Sequence, residues 1–129
     1  VTAEKIRIYK QLDSMTNDKE IDRIKAQLED RFGEMPLELD NLFDVVKIRN
    51  LGGKLGFEKI IIKNGMMIMF FIANQMSPYY KSKVFSGILQ NINANDQLFN
   101  LKQSEGKLKI VSRGIDSLSK ALDTLNKLK

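Results

Sequence analysis

The sequence predicts an α+β domain: N-terminal helices that include a helical hairpin, then a β-β-α-β-β-α segment with a small antiparallel sheet. Three observations predict it. Up to Gly56 apolar residues return every three or four positions, the spacing of one helix face. Beyond Gly56 the chain changes to short β-rich runs. Asn64-Gly65 joins two of those runs as a pair suited to a hairpin turn, and Glu105-Gly106 falls where a second two-residue loop would join two more. With 129 residues the chain has the length of one domain, expected to bury about two thirds of its unfolded surface. The expected organisation is a single domain over 1–129, with a helical part at 1–56 and the β-β-α-β-β-α part at 57–129.

Residues 2–15 are expected to be helical, with Ile8, Leu12 and Met15 on one side, Tyr9 beside them and Ile6 widening the stripe. In the second helix, over 18–32, Ile21, Ile24, Leu28 and Phe32 draw one apolar stripe. Asn17 with Glu20 three residues on forms an N-cap and capping box. Gly33 offers a left-handed residue to end this helix and Pro36 suits the first turn of the next, so the chain turns back there. On the helical wheel Arg23, Gln27 and Asp30 lie about opposite the stripe and face away from the core, with Glu20 and Glu34 bordering them. A third helix over 36–55 presents Leu39, Leu42, Phe43, Val46, Leu51 and Leu55, and Gly52-Gly53 weaken its last turns. Those glycines with Lys54 are not a phosphate-binding loop, because the strand before and the Ser/Thr after the lysine are missing.

The runs 57–63 and 66–72 pair through Asn64-Gly65 as a type I′ hairpin. Both are apolar on both faces, so both sides of this hairpin are expected to be covered. Ser77-Pro78 starts a helix over 78–93 with Val84, Ile88 and Ile92 inward. With Glu105-Gly106 as a two-residue loop, Lys102 falls opposite Lys109 and Leu101 opposite Ile110. Phe99, Leu101, Leu108 and Ile110 then make a dry face, and Asn100, Lys102, Lys107 and Lys109 a wet one. A last helix over 115–127 offers Ile115, Leu118, Leu122 and Leu125 to the sheet.

The formal charge of +5 is unevenly distributed. Residues 13–44 hold ten acids against four bases, whereas 57–129 hold eleven bases against five acids. The acidic stretch suits a basic partner. With no cysteine there is no disulfide or thiolate chemistry, and with no histidine the commonest metal ligand and general base are missing. No carboxylate pair is placed for acid–base work, so no catalytic, cofactor-binding or metal-binding residue is assigned. No apolar run approaches the ~20 residues that span a bilayer and no basic-then-apolar leader precedes the first helix. A soluble, cytoplasmic protein without membrane contact is expected. Opening at Val1, the chain is expected to be a piece of a longer polypeptide.

Several runs together resemble the C-terminal domain of the bacterial transcription-repair coupling factor. They are Arg7-Ile8-Tyr9-Lys10-Gln11-Leu12, Leu28-Glu29-Asp30-Arg31-Phe32-Gly33, Met35-Pro36, Asn41-Leu42, Ile48-Arg49 and Lys54-Leu55-Gly56. From Phe57 onward only the order of elements and Pro78 before a helix are similar. The resemblance implies a non-catalytic regulatory domain of a DNA translocase that uses ATP and Mg, displaces stalled RNA polymerase from double-stranded DNA and recruits UvrA for nucleotide excision repair. It implies that this domain docks on the amino-terminal UvrA-binding module of the same protein and masks it. In that family acids of the second helix meet arginines of the module; the matching acid here is Asp30. The position three earlier, acidic in some relatives, is Gln27, with Glu29 or Glu34 placed to compensate and Arg23 at the edge of the contact. The alternative is a nucleic-acid-binding module built on Lys81, Lys83, Lys102, Lys107, Lys109 and Arg113.

Overall fold

A computed structural model describes residues 2–15 and 17–129. It contains five α-helices, one 3-10 turn and a four-stranded antiparallel sheet among the described residues, the predicted α+β class. Contacts group the chain into two compact units, 1–47 and 48–129. The division falls inside a helix, upstream of the change of period at Gly56. The reason is that Ile48, Leu51 and Leu55 pack with the sheet's core and not with the helical one.

The first unit contains α1 (Thr2–Asp13), α2 (Asp18–Phe32) and the start of α3 (Leu37–Leu55). Its core joins Ile8 and Leu12 of α1, Ile21 and Ile24 of α2, and Leu42, Phe43 and Val46 of α3. Asn17 caps α2, accepting a 2.8 Å bond from the Lys19 amide, so the side chain serves the second helical residue and not Glu20 as a capping box requires. Lys25–Asp40, at 2.6 Å, and Lys47–Asp22 tie α2 to α3 as an antiparallel pair. The Asp40 hydrogen bond is the main cause that raises the Lys25 pKa. Two expected members of the apolar stripes leave the core. Ile6, inside α1 and two residues from the buried Ile8, lies off the packed face and is 51% exposed; Phe32, the last residue of α2, is 62% exposed.

In the second unit the strands β1 (Phe57–Lys63), β2 (Met66–Phe71), β3 (Asn100–Ser104) and β4 (Lys107–Arg113) lie in the order β1-β2-β4-β3. Both hairpin turns have positive φ at both central residues, 53° and 73° at Asn64-Gly65 and 52° and 75° at Glu105-Gly106, as type I′ requires. Leu101 faces Ile110 and Lys102 faces Lys109, the expected register. One sheet face packs on the end of α3, α4 (Lys83–Ala94) and α5 (Leu118–Asn126) through Met67, Met69, Phe71 and Ile110 against Ile88, Ile92, Ala121 and Leu125.

The segment expected as one helix over 78–93 is two. Pro78–Lys81 forms a 3-10 turn capped by Ser77, and Ser82 then caps α4 by accepting from the Phe85 amide. That restart shifts the inward face: Phe85 packs against the core while Val84 is 44% exposed. Ile115 is buried before α5 begins, its amide held by the Gly65 carbonyl at 2.9 Å. Gly52 sits inside α3, where a Cβ would come within 2.6 Å of Ile60 Cδ1. It permits a close helix–strand approach and does not end the helix. Among the described residues of the second unit, helices pack on one face of the β1–β2 hairpin. Ile61, Ile68 and Phe70, on the other, are half-buried and join neither core.

Candidate docking surface on the helical hairpin

Arg23, Gln27 and Asp30 follow one another along α2 at steps of four and three, which places them on one face; all three are exposed. Among the described residues nothing donates a hydrogen bond or forms an ion pair to the Asp30 carboxylate. Arg31, its neighbour, turns instead over the Phe32 ring, 5.1 Å from the centroid. The acidic stretch is thereby divided. Asp22 and Asp40 are engaged in joining α2 to α3, while the Asp30 side chain stays open to solvent or a partner.

Glu29 and Glu34 are exposed as well but border a different place, a shallow recess that also holds Lys25 and Asp40. Glu29 stands close enough to Lys25 to help raise its pKa. The five predicted contact residues therefore form two neighbouring sets, a row along α2 and a pair beside the turn.

The turn itself carries what the sequence did not signal. After α2 the Gly33 amide closes on the Glu29 carbonyl at 2.8 Å, and the backbone leaves with φ 82° and ψ −156°. That is not the left-handed helical conformation expected there but the region used almost only by glycine. Beyond it opens a groove of about 490 Å³ lined mainly by Ile8, Leu28, Phe32, Met35, Pro36 and Leu39, with Glu34 at its rim. Phe32 and, just beyond the groove-lining Pro36, Leu37 at 71% are exposed. An apolar recess with exposed large side chains and free carboxylates near it can take an apolar side chain and pair with a cation beside it. The available signal was positional: two large apolar residues flank the Gly33–Pro36 turn, where a helix stripe has nothing left to pack against.

Of the cations in the nucleic-acid alternative, Lys102, Lys107, Lys109 and Arg113 share one sheet face, whereas Lys81 and Lys83 lie on the 3-10 turn and at the start of α4.

Residues 1–82 match the protein family described as the TRCF domain. The transcription-repair-coupling factor of Rickettsia typhi is 36% identical over 77 residues, 59% of this chain and 7% of that protein. That of Escherichia coli is 32% identical over 75 residues, 57% of this chain and 6% of the other. The chain thus spans less than a tenth of the relatives that it matches. A crystal structure of the C-terminal domain of transcription-repair coupling factor superposes with a TM-score of 0.76 over 98% of this chain and 76% of that one. At 16% identity that likeness shows the fold alone.

Proposed function

Because the chain belongs to the transcription-repair coupling factor domain family, we propose that it is a regulatory domain that covers the amino-terminal UvrA-binding module of its own polypeptide. The observation that carries this reading is the exposed, unpaired Asp30 carboxylate on the same helical hairpin as an open apolar groove. A basic module can satisfy both features at once, an arginine against Asp30 and an apolar side chain in the groove. The domain itself performs no reaction. ATP and Mg belong to the motor of the longer protein, whose RNA polymerase, UvrA and double-stranded DNA contacts lie elsewhere and whose setting is the cytoplasm. Each exposed ion pair contributes about 0–1 kcal/mol, more if desolvated. A cover that must be lifted needs contacts of this modest size, because a ligand opens it only through its differential affinity for the open state.

The experiment is calorimetric titration of this domain with the separate amino-terminal module. Asp30→Arg should weaken binding about tenfold, equal to about 1.4 kcal/mol, by setting like charges together. Gln27→Glu, which restores a second acid one helical turn away, should tighten it about two- to fivefold at low salt. Unchanged affinity in Asp30→Arg would remove Asp30 from the contact and this reading with it.

A further inference from the structure

The sheet has a second face. Antiparallel partners point their side chains to the same side, so the register fixes what that face presents. One row runs Lys59, Phe70, Lys109, Lys102 across the four strands in spatial order. The next runs Ile61, Ile68, Val111, Asn100, and a third Lys63, Met66, Arg113. Lys107, two residues before Lys109, belongs to the same side. The helices α4 and α5 pack on the opposite face, with Met67, Met69 and Ile110.

Three properties of this surface converge. Its paired outward positions carry cations and no acid: Lys59, Lys63, Lys102, Lys107, Lys109 and Arg113, on either side of the uncharged row of Ile61, Ile68, Val111 and Asn100. Glu58, at the bulge beside Lys59, stands outside the paired register and accepts from the Ala73 amide. A face that serves only solubility mixes the two signs. It is apolar between the charges, with Ile61, Ile68 and Phe70 half-buried, and Lys109 rests its ammonium 5.8 Å from the Phe70 ring centroid. Its cations are regularly placed, on strands ~4.8 Å apart, with the row of Lys63 and Arg113 two row spacings, ~13.6 Å, from the row of Lys59, Lys109 and Lys102.

We propose that this outer sheet face binds single-stranded nucleic acid, with the lysines on its phosphates and Phe70 under a base. A single strand offers both partners that the surface asks for, a regular line of negative charge and bare base faces. A duplex hides its bases and leaves the apolar centre without a partner. An acidic protein surface fits less well, because protein interface cores favour arginine and exclude lysine, and five of these six cations are lysines. Lysine's compact ammonium serves phosphate as a point charge. The site lies in the second unit and uses none of the residues assigned to the helical hairpin.

The test is fluorescence anisotropy of this 129-residue chain with a labelled oligodeoxythymidylate of about 20 nucleotides, a duplex of equal length and a polyglutamate peptide of similar charge, across a salt series. The single strand should bind tightest, with a log–log salt slope of about −3 to −4, the value for four to six phosphate contacts. Lys59→Gln with Lys102→Gln, at the two ends of the first row, should weaken binding at least tenfold and make the slope shallower by about 1.4. Phe70→Leu should weaken it about fivefold with the slope unchanged, since stacking releases no counterions. Lys81→Gln with Lys83→Gln, off the sheet, should change affinity less than about twofold. Circular dichroism melts of each variant separate lost binding from lost fold. The proposal is overturned by absence of single-strand binding at low salt, by equal loss in the off-sheet pair, or by a duplex or polyglutamate that binds as tightly as the single strand.

Discussion

Alanine at Gly56 should destabilise the second unit by about 3–5 kcal/mol. Gly56 follows α3 with φ 94°, a conformation that costs an L-residue about 1–2 kcal/mol before any contact is considered. A Cβ there would lie 2.1 Å from Tyr79 Cε1, 2.5 Å from Cζ and 2.9 Å from Cδ1. Ordinary carbon contacts are about 3.5–4.0 Å, so the ring must retreat by about 1.5 Å. Retreat breaks the 2.6 Å bond that the Tyr79 hydroxyl donates to the Leu55 carbonyl, one of the unpaired acceptors at the end of α3, and that bond contributes about 1 kcal/mol. It also disturbs ring contacts with Phe71 and Phe85, at centroid distances of 6.2 and 5.5 Å, for about 1–2 kcal/mol more. The melting temperature should fall by roughly 10–20 °C in a thermal scan followed by circular dichroism. A double-mutant cycle isolates the cause. In a Tyr79→Ala background Gly56→Ala should cost only the backbone strain of about 1–2 kcal/mol, leaving a coupling of about 2–3 kcal/mol. An additive cycle, or a single-mutant loss below about 1 kcal/mol, would mean that the Tyr79 ring does not oppose a Cβ at position 56.

Burial, with a smaller contribution from Tyr80, pushes the Tyr79 pKa up from 10.0 to about 12, so the folded state favours the neutral phenol. Its contribution to stability is complete below pH 10.0 and is lost as pH rises toward about 12; Tyr79→Phe should therefore show a flatter decline of melting temperature over that window, and parallel curves would contradict the assignment. Gly33→Ala meets no atom within 4 Å, yet its φ of 82° with ψ −156° should still cost about 1–3 kcal/mol in urea unfolding, and a loss under about 0.5 kcal/mol would mean that the turn relaxes without strain.

The sequence alone determined whatever depends on residues a few positions apart. Asn64-Gly65 specifies its own turn, and once Glu105-Gly106 is the loop of the second hairpin, two residues leave one register and set Lys102 against Lys109. The apolar period places Ile21, Ile24, Ile88 and Ile92 inside. The runs around Asp30 carried the family resemblance, and 1–82 is the part that matches the family.

Tertiary structure decided what depends on the other side of a contact. Phe32 continues a correct helical stripe, yet it lies exposed beside a groove because nothing described packs beyond the end of α2. Among the described residues of the second unit, helices pack on one face of the apolar β1–β2 hairpin, and Ile68 and Phe70 on the other stand among basic side chains and join neither core. Gly56 and Tyr79 are 23 positions apart, and only the fold lays one ring over one missing Cβ. Turn chemistry and helical period are local energies that a linear string contains; burial is a property of pairs, and the chain must close before a residue acquires its partner or is left without one.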